Sequence, residues 1–135
     1  MEFPKSLTTI GNNTFRNTAI RSMNIPDSVK SIGNFCFADN KWLNSVSLGK
    51  GLIRIGEYSF YNCDKLRKVN IDCVEAAAVG DCVFKGCILR EVTFEPDLKS
   101  IPINIFAYAD FAKNEPKVSQ LIDLALLANN MLKGE

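Results

Sequence analysis

"PDSVKSIGNFCFADNKWLNSVSL", residues 26 to 48, decides the fold, because its parts recur along the chain in the same order. An aliphatic residue followed five positions later by phenylalanine appears in "TIGNNTF" (9–15), "SIGNFCF" (31–37), "RIGEYSF" (54–60), "AVGDCVF" (78–84) and "SIPINIF" (100–106). The phenylalanines Phe15, Phe37, Phe60, Phe84 and Phe106 are spaced 22, 23, 24 and 22 apart. The anchors Ile10, Ile32, Ile55, Val79 and Ile101 each stand three positions after Leu7, Val29, Leu52, Ala76 or Leu98. Four copies continue into a second apolar phrase: "IRSMNI" (20–25), "LNSVSL" (43–48), "LRKVNI" (66–71) and "LREVTF" (89–94). A period of this length marks a stacked repeat.

Each part has a physical reading. The second phrase alternates with period two, so Val46 and Leu48 share one side and Ser45 and Ser47 the other, which predicts a short half-buried strand. Glycine follows the anchor in four copies (Gly11, Gly33, Gly56, Gly80), where the chain turns with positive φ or passes close to another backbone. Asn12, Asn34, Glu57 and Asp81 come next and are expected to accept hydrogen bonds from the N–H groups of a short helical turn. The phenylalanine then closes the turn inward. A unit of this size cannot bury its own apolar face, but stacked units share one core.

These residues resemble the BspA-like leucine-rich repeats, whose units read approximately P-x-x-[VL]-x-x-I-G-x-x-A-F-x-x-C-x-x-L-x-x-[IV]-x-[IL]. The copy at 26–48 matches nearly throughout, with Asn40 where the family often has cysteine, and "LIRIGEYSFYNCDKLRKVNI" (52–71) matches with Cys63 in place. The resemblance covers residues 4–106 in five repeats and departs in "CVEAAAVGDCVF" (73–84), which is alanine-rich, and at Pro102, which replaces glycine. It implies an α/β repeat solenoid, a right-handed stack of short parallel strands with short helical turns. It also implies recognition of protein partners, as in adhesion or binding of host matrix.

The period changes in "NEPKVSQLIDLALLANNMLKGE", where Val118, Leu121, Ile122, Ala125, Ala128 and Leu132 form one helical stripe. Asn114 suits its cap, Pro116 its first turn and Gly134 its end. The expected domain is thus a solenoid over 1–109 closed by an amphipathic helix within 110–135, which either caps the last rung or pairs with a partner. A monomer is expected.

At 135 residues the chain is one domain by length, and a net charge of +1 offers no field to attract nucleic acid or anionic lipid. The sequence carries no apolar run long enough for a membrane span. A cytoplasmic protein is expected if Met1 is the native start, and a surface or secreted one if the chain is a fragment of an exported protein. The five cysteines, Cys36, Cys63, Cys73, Cys82 and Cys87, include no C-x-x-C pair, and there is no histidine, which removes the common triads and most zinc enzymes. Repeat position explains the thiols as small buried hydrophobes, with a disulfide or metal as the alternatives. No cofactor and no catalytic residue are expected.

Function is expected on the side chains that the strands push outward. Rung by rung these are Arg21, Asn44, Arg67, Arg90; then Ser22, Ser45, Lys68, Glu91; then Asn24, Ser47, Asn70, Thr93. Trp42, the only tryptophan, either anchors a partner beside this face or shields the rung edge. The expectation is a noncatalytic protein-interaction module, with a cytoplasmic adaptor or regulatory protein working through the same face or the helix as the alternative.

Overall fold

The alternating phrases do form strands, and so do the anchors. In the computed structural model, which describes residues 3–73, 78–94, 105–106 and 108–111, the chain runs β1 (Thr9–Ile10), β2 (Ser22–Asn24), β3 (Ser31–Ile32), β4 (Ser45–Leu48), β5 (Arg54–Ile55), β6 (Lys68–Ile71), β7 (Ala78–Val79), β8 (Ile88–Leu89), β9 (Glu91–Phe94) and β10 (Asp110–Phe111). All pairings among the described residues are parallel. One sheet is β1-β3-β5-β7, the second is β2-β4-β6-β9, and β10 pairs with β8. The architecture is a parallel-strand solenoid of about four turns.

The first sheet is the part that the sequence did not announce, because a two-residue strand is too short to show a period. Its register places Ile10 beside Ile32, Ile32 beside Ile55 and Ile55 beside Val79. The anchors thereby become an aliphatic ladder along one inner wall. Met23, Val46, Val69 and Val92 form the facing ladder, each at most 4% exposed. Full burial of such a side chain stabilises the fold by about 1.5–3 kcal/mol.

Among the described residues there is no helix, so the expected helical turn is corrected to an irregular turn. The backbone shows why. Inside a helical turn the N–H groups would bond within their own rung, whereas here Asn13, Phe15 and Asn17 donate to the carbonyls of Asn34, Cys36 and Ala38 on the next rung. Phe35, Phe37 and Asp39 repeat this toward Glu57, Ser59 and Tyr61. Aiming alternate donors along the stack requires left-handed backbone twice per rung. It occurs at Asn13, Phe35, Tyr58 and Cys82, and again at Asn17, Asp39, Asn62 and Tyr108, with Gly86 in the latter position of the fourth rung.

The polar residues after the anchor are also corrected, since they cap no turn of their own. Asn12 Oδ1 accepts the Asn34 N–H at 2.8 Å and Asn34 Oδ1 accepts the Glu57 N–H at 3.0 Å, so each bond links one rung to the next. Gly33, Gly56 and Gly80 answer the same geometry through close approach, not positive φ. A Cβ on Gly33 would sit 2.5 Å from the Asn12 nitrogen.

The phenylalanine ladder runs as expected. Rings of Phe15, Phe37, Phe60, Phe84 and Phe106 stack at centroid distances of 5.4, 5.1, 5.4 and 5.9 Å. Phe3 closes the N-terminal end by packing edge-on against Phe15 at 5.7 Å and 81°. Three residues beyond Phe37, Phe60 and Phe84 lies a slot with one purpose: its side chain donates to the previous rung's phenylalanine carbonyl. Asn40 Nδ2 donates to Phe15 O at 2.8 Å, Cys63 Sγ to Phe37 O at 3.2 Å and Cys87 Sγ to Phe60 O at 3.2 Å.

Strand β10 carries the repeat further than the sequence reading allowed. Phe111 pairs with Leu89, so the last copy retains the beginning of the second phrase. The helix expected within 110–135, apart from Asp110 and Phe111, lies outside the described residues, as do Pro102 and the alanine-rich segment 74–77.

Candidate functional site

Parallel pairing turns the outward strand positions into columns. Ser22, Ser45, Lys68 and Glu91 stand in register across β2, β4, β6 and β9, and Asn24, Ser47, Asn70 and Thr93 form the next column. The third, Arg21, Asn44, Arg67 and Arg90, is held by backbone bonds in which each N–H donates to the preceding member's carbonyl, at 2.8, 3.0 and 2.8 Å. All twelve sequence-predicted positions therefore fall on one face, and none of them is buried.

Local bonds stiffen this face unevenly. The Arg67 guanidinium donates through Nη1 to the carbonyls of Asp64 (2.8 Å), Leu66 (3.3 Å) and Ile88 (3.1 Å), clasping two rungs while keeping its charge. Thr93 Oγ1 donates to Asn70 Oδ1 in the outer column. Lys68 and Glu91 are neighbours in register, which partly offsets their charges. Trp42 is 51% exposed at the edge, with the Arg21 guanidinium 5.9 Å from its ring centre. It is a ring resting against a cation, with much of its surface open.

Of the column beside the arginines, sequence reading named Trp42 alone. Ala19, Trp42, Lys65, Ile88 and Asp110 each precede the aliphatic residue or phenylalanine that opens the second phrase, and β8–β10 pairing puts Asp110 beside Ile88. Ile88 is 44% exposed, so two large apolar side chains flank Lys65. Their repeat position was the available signal.

Elsewhere the polar chemistry is structural. Arg16 and Asp39 form an ion pair at 2.9 Å between adjacent turns. Burial would raise the Asp39 carboxyl, but hydrogen bonds from Arg16 and Asn62 outweigh it and hold it below its usual value. All five cysteines are unbridged and buried. Burial pushes the Cys36 and Cys73 thiols up to about 11. The Cys63 thiol beside Cys87, together with burial, raises Cys87 as well. Groups held protonated in this way are poor nucleophiles and poor ligands at neutral pH. An open depression of about 440 Å³ lies on the first sheet, lined by Arg54, Glu57 and the glycine backbones of Gly56 and Gly80. It is separate from the columns.

A family model, the BspA type leucine-rich repeat region, matches residues 1–113 in six copies. The chain belongs to that family. The match counts one copy more than the five registered anchor-to-phenylalanine phrases and reaches past β10. No curated protein and no solved structure matches the chain. Solenoids of this family are typically noncatalytic interaction scaffolds.

Proposed function

We propose that this BspA-type leucine-rich repeat chain is a noncatalytic module that binds a protein partner through the outer face of β2, β4, β6 and β9. The observation that carries this is the register: twelve outward positions, from Arg21 to Thr93, form three polar columns on a backbone clamped by rung-to-rung bonds. A rigid array loses little entropy on binding, which favours affinity per unit area. Four strands at about 4.8 Å give a face roughly 20 Å wide, and a standard interface takes about 800 Å² from each side. The face is nearly used up by one partner. Adhesion or recognition of host matrix is the role that the family suggests for such binding.

The test is charge reversal at Arg67 and Arg90. Once a partner is purified from the source cell, the Arg67→Glu, Arg90→Glu double variant is expected to bind it at least about tenfold more weakly with an unchanged circular dichroism spectrum. Equal affinity would overturn the strand-face reading.

A further inference from the structure

The charge of the chain is nearly balanced in sum but not in place. The four columns of the strand face and its edge hold five cations, Arg21, Lys65, Arg67, Lys68 and Arg90, against two carboxylates, Glu91 and Asp110. The face is therefore net +3, while the other described residues carry seven cations against six carboxylates, so most of the excess charge among the described residues stands on this face. Composition hides this concentration of cations, and the register reveals it.

Two further features define what would fit. The hydrogen bonds that hold the Arg67 guanidinium end on neutral carbonyl oxygens, so they fix its position without cancelling its charge. Trp42 and Ile88, 51% and 44% exposed, stand in the column beside the arginines. Apolar side chains next to fixed cations favour a ligand that presents both carboxylates and hydrophobic groups along one line.

We propose that the strand face recognises an acidic segment of a protein, one that also carries aromatic or aliphatic side chains. This deepens the function proposed above and rests on it. Carboxylates of the segment pair with the column from Arg21 to Arg90, and its apolar side chains settle on Trp42 and Ile88. Opposite charge then speeds encounter and discriminates against basic partners, which a face of net +3 repels.

The experiment is selection of short random peptides displayed on phage against the folded chain, followed by synthesis of the enriched sequences. Two variants are compared. Arg21→Glu with Lys68→Glu reverses charge at two exposed positions that take no part in the carbonyl clasp, and Ser47→Trp obstructs the face without changing charge. The expected result is enrichment of Asp and Glu interspersed with aromatic or aliphatic residues. Binding should fall at least about tenfold in the charge variant, and should also fall in Ser47→Trp. Uncharged or basic peptides that only Ser47→Trp weakens would overturn the acidic preference and leave the strand face standing. Peptides that neither variant weakens, or no enrichment, would overturn both. Binding to phosphatidylserine vesicles without peptide binding would overturn the proposal in favour of a lipid surface.

Discussion

Gly56→Ala should be among the most damaging single changes in this chain, while Gly11→Ala should do little. The two glycines occupy the same repeat position and differ in what precedes them. A Cβ on Gly56 would meet the Asn34 nitrogen at 2.5 Å and the Gly33 carbonyl carbon more closely still, whereas on Gly11 its nearest neighbour is Thr14 Oγ1 at 3.5 Å, an ordinary contact. Restoring normal contact at Gly56 requires the two rungs to part by at least about 0.9 Å. That stretches the Gly56 N–H to Ile32 O bond from 2.9 Å and the Phe35 N–H to Glu57 O bond from 3.0 Å beyond hydrogen-bonding range. Two lost bonds at about 1 kcal/mol each, with overpacking of about 1–3 kcal/mol, give a loss of about 3–5 kcal/mol. Gly11→Ala should stay within about 0.5 kcal/mol, or gain up to about 1 from reduced freedom of the unfolded chain. Equilibrium urea unfolding measures both. Equal losses in the two variants would refute the argument that rung-to-rung approach, and not turn conformation, demands these glycines.

Other predictions follow from the interior. The Ser59 hydroxyl is fully buried without a hydrogen-bond partner, so Ser59→Ala should raise stability by about 1 kcal/mol, and a loss in thermal unfolding would show that the hydroxyl is bonded. Asn40 accepts from the N–H and hydroxyl of Thr18 and donates to the carbonyls of Phe15 and Phe37; Asn40→Ala should cost about 3 kcal/mol in denaturant unfolding, and Asn40→Cys, which supplies the thiol donor of the next two rungs, should cost less. For Cys36 the folded thiol is raised from 9.0 to about 11, so its neutral form contributes fully below pH 9 and that contribution is lost as pH rises toward 11. Between those limits stability should fall by about 1.4 kcal/mol per pH unit for this group, and Cys36→Val should remove that part of the slope. An unchanged slope would place the pH dependence elsewhere.

The repeat was legible because it is written in side chains. Phe37, Val46 and Leu48 recur at fixed offsets, and burial selects them in each rung. What the backbone does between them was not legible. Ser31–Ile32 is too short to alternate, so the first sheet left no period to read. Asn12 and Asn34 suit a helix cap as well as a bond to the next rung, and residue type cannot distinguish the two. Phe35 and Tyr58 argued against left-handed backbone, since a bulky residue there costs roughly 1–2 kcal/mol; the ladder of inter-rung bonds and the stacking of their rings at 5.1 Å outweigh that preference. The eight positions within β2, β4, β6 and β9 were legible as outward because a period-two phrase leaves no choice of side, and the four before them because they stand between two inward apolar residues. Their neighbours Lys65 and Ile88 were missed because they precede the alternation.

The strand face is tested most directly by site-specific photocrosslinking in extract of the source cell. Benzoylphenylalanine replaces Ser47 on the second sheet in one variant and Arg54 on the first sheet in another, with both proteins shown to fold. The expected result is a discrete crosslinked protein from position 47 and none from position 54. Crosslinking from 54 alone, or equally from both, would contradict the assignment of binding to the columns of β2, β4, β6 and β9.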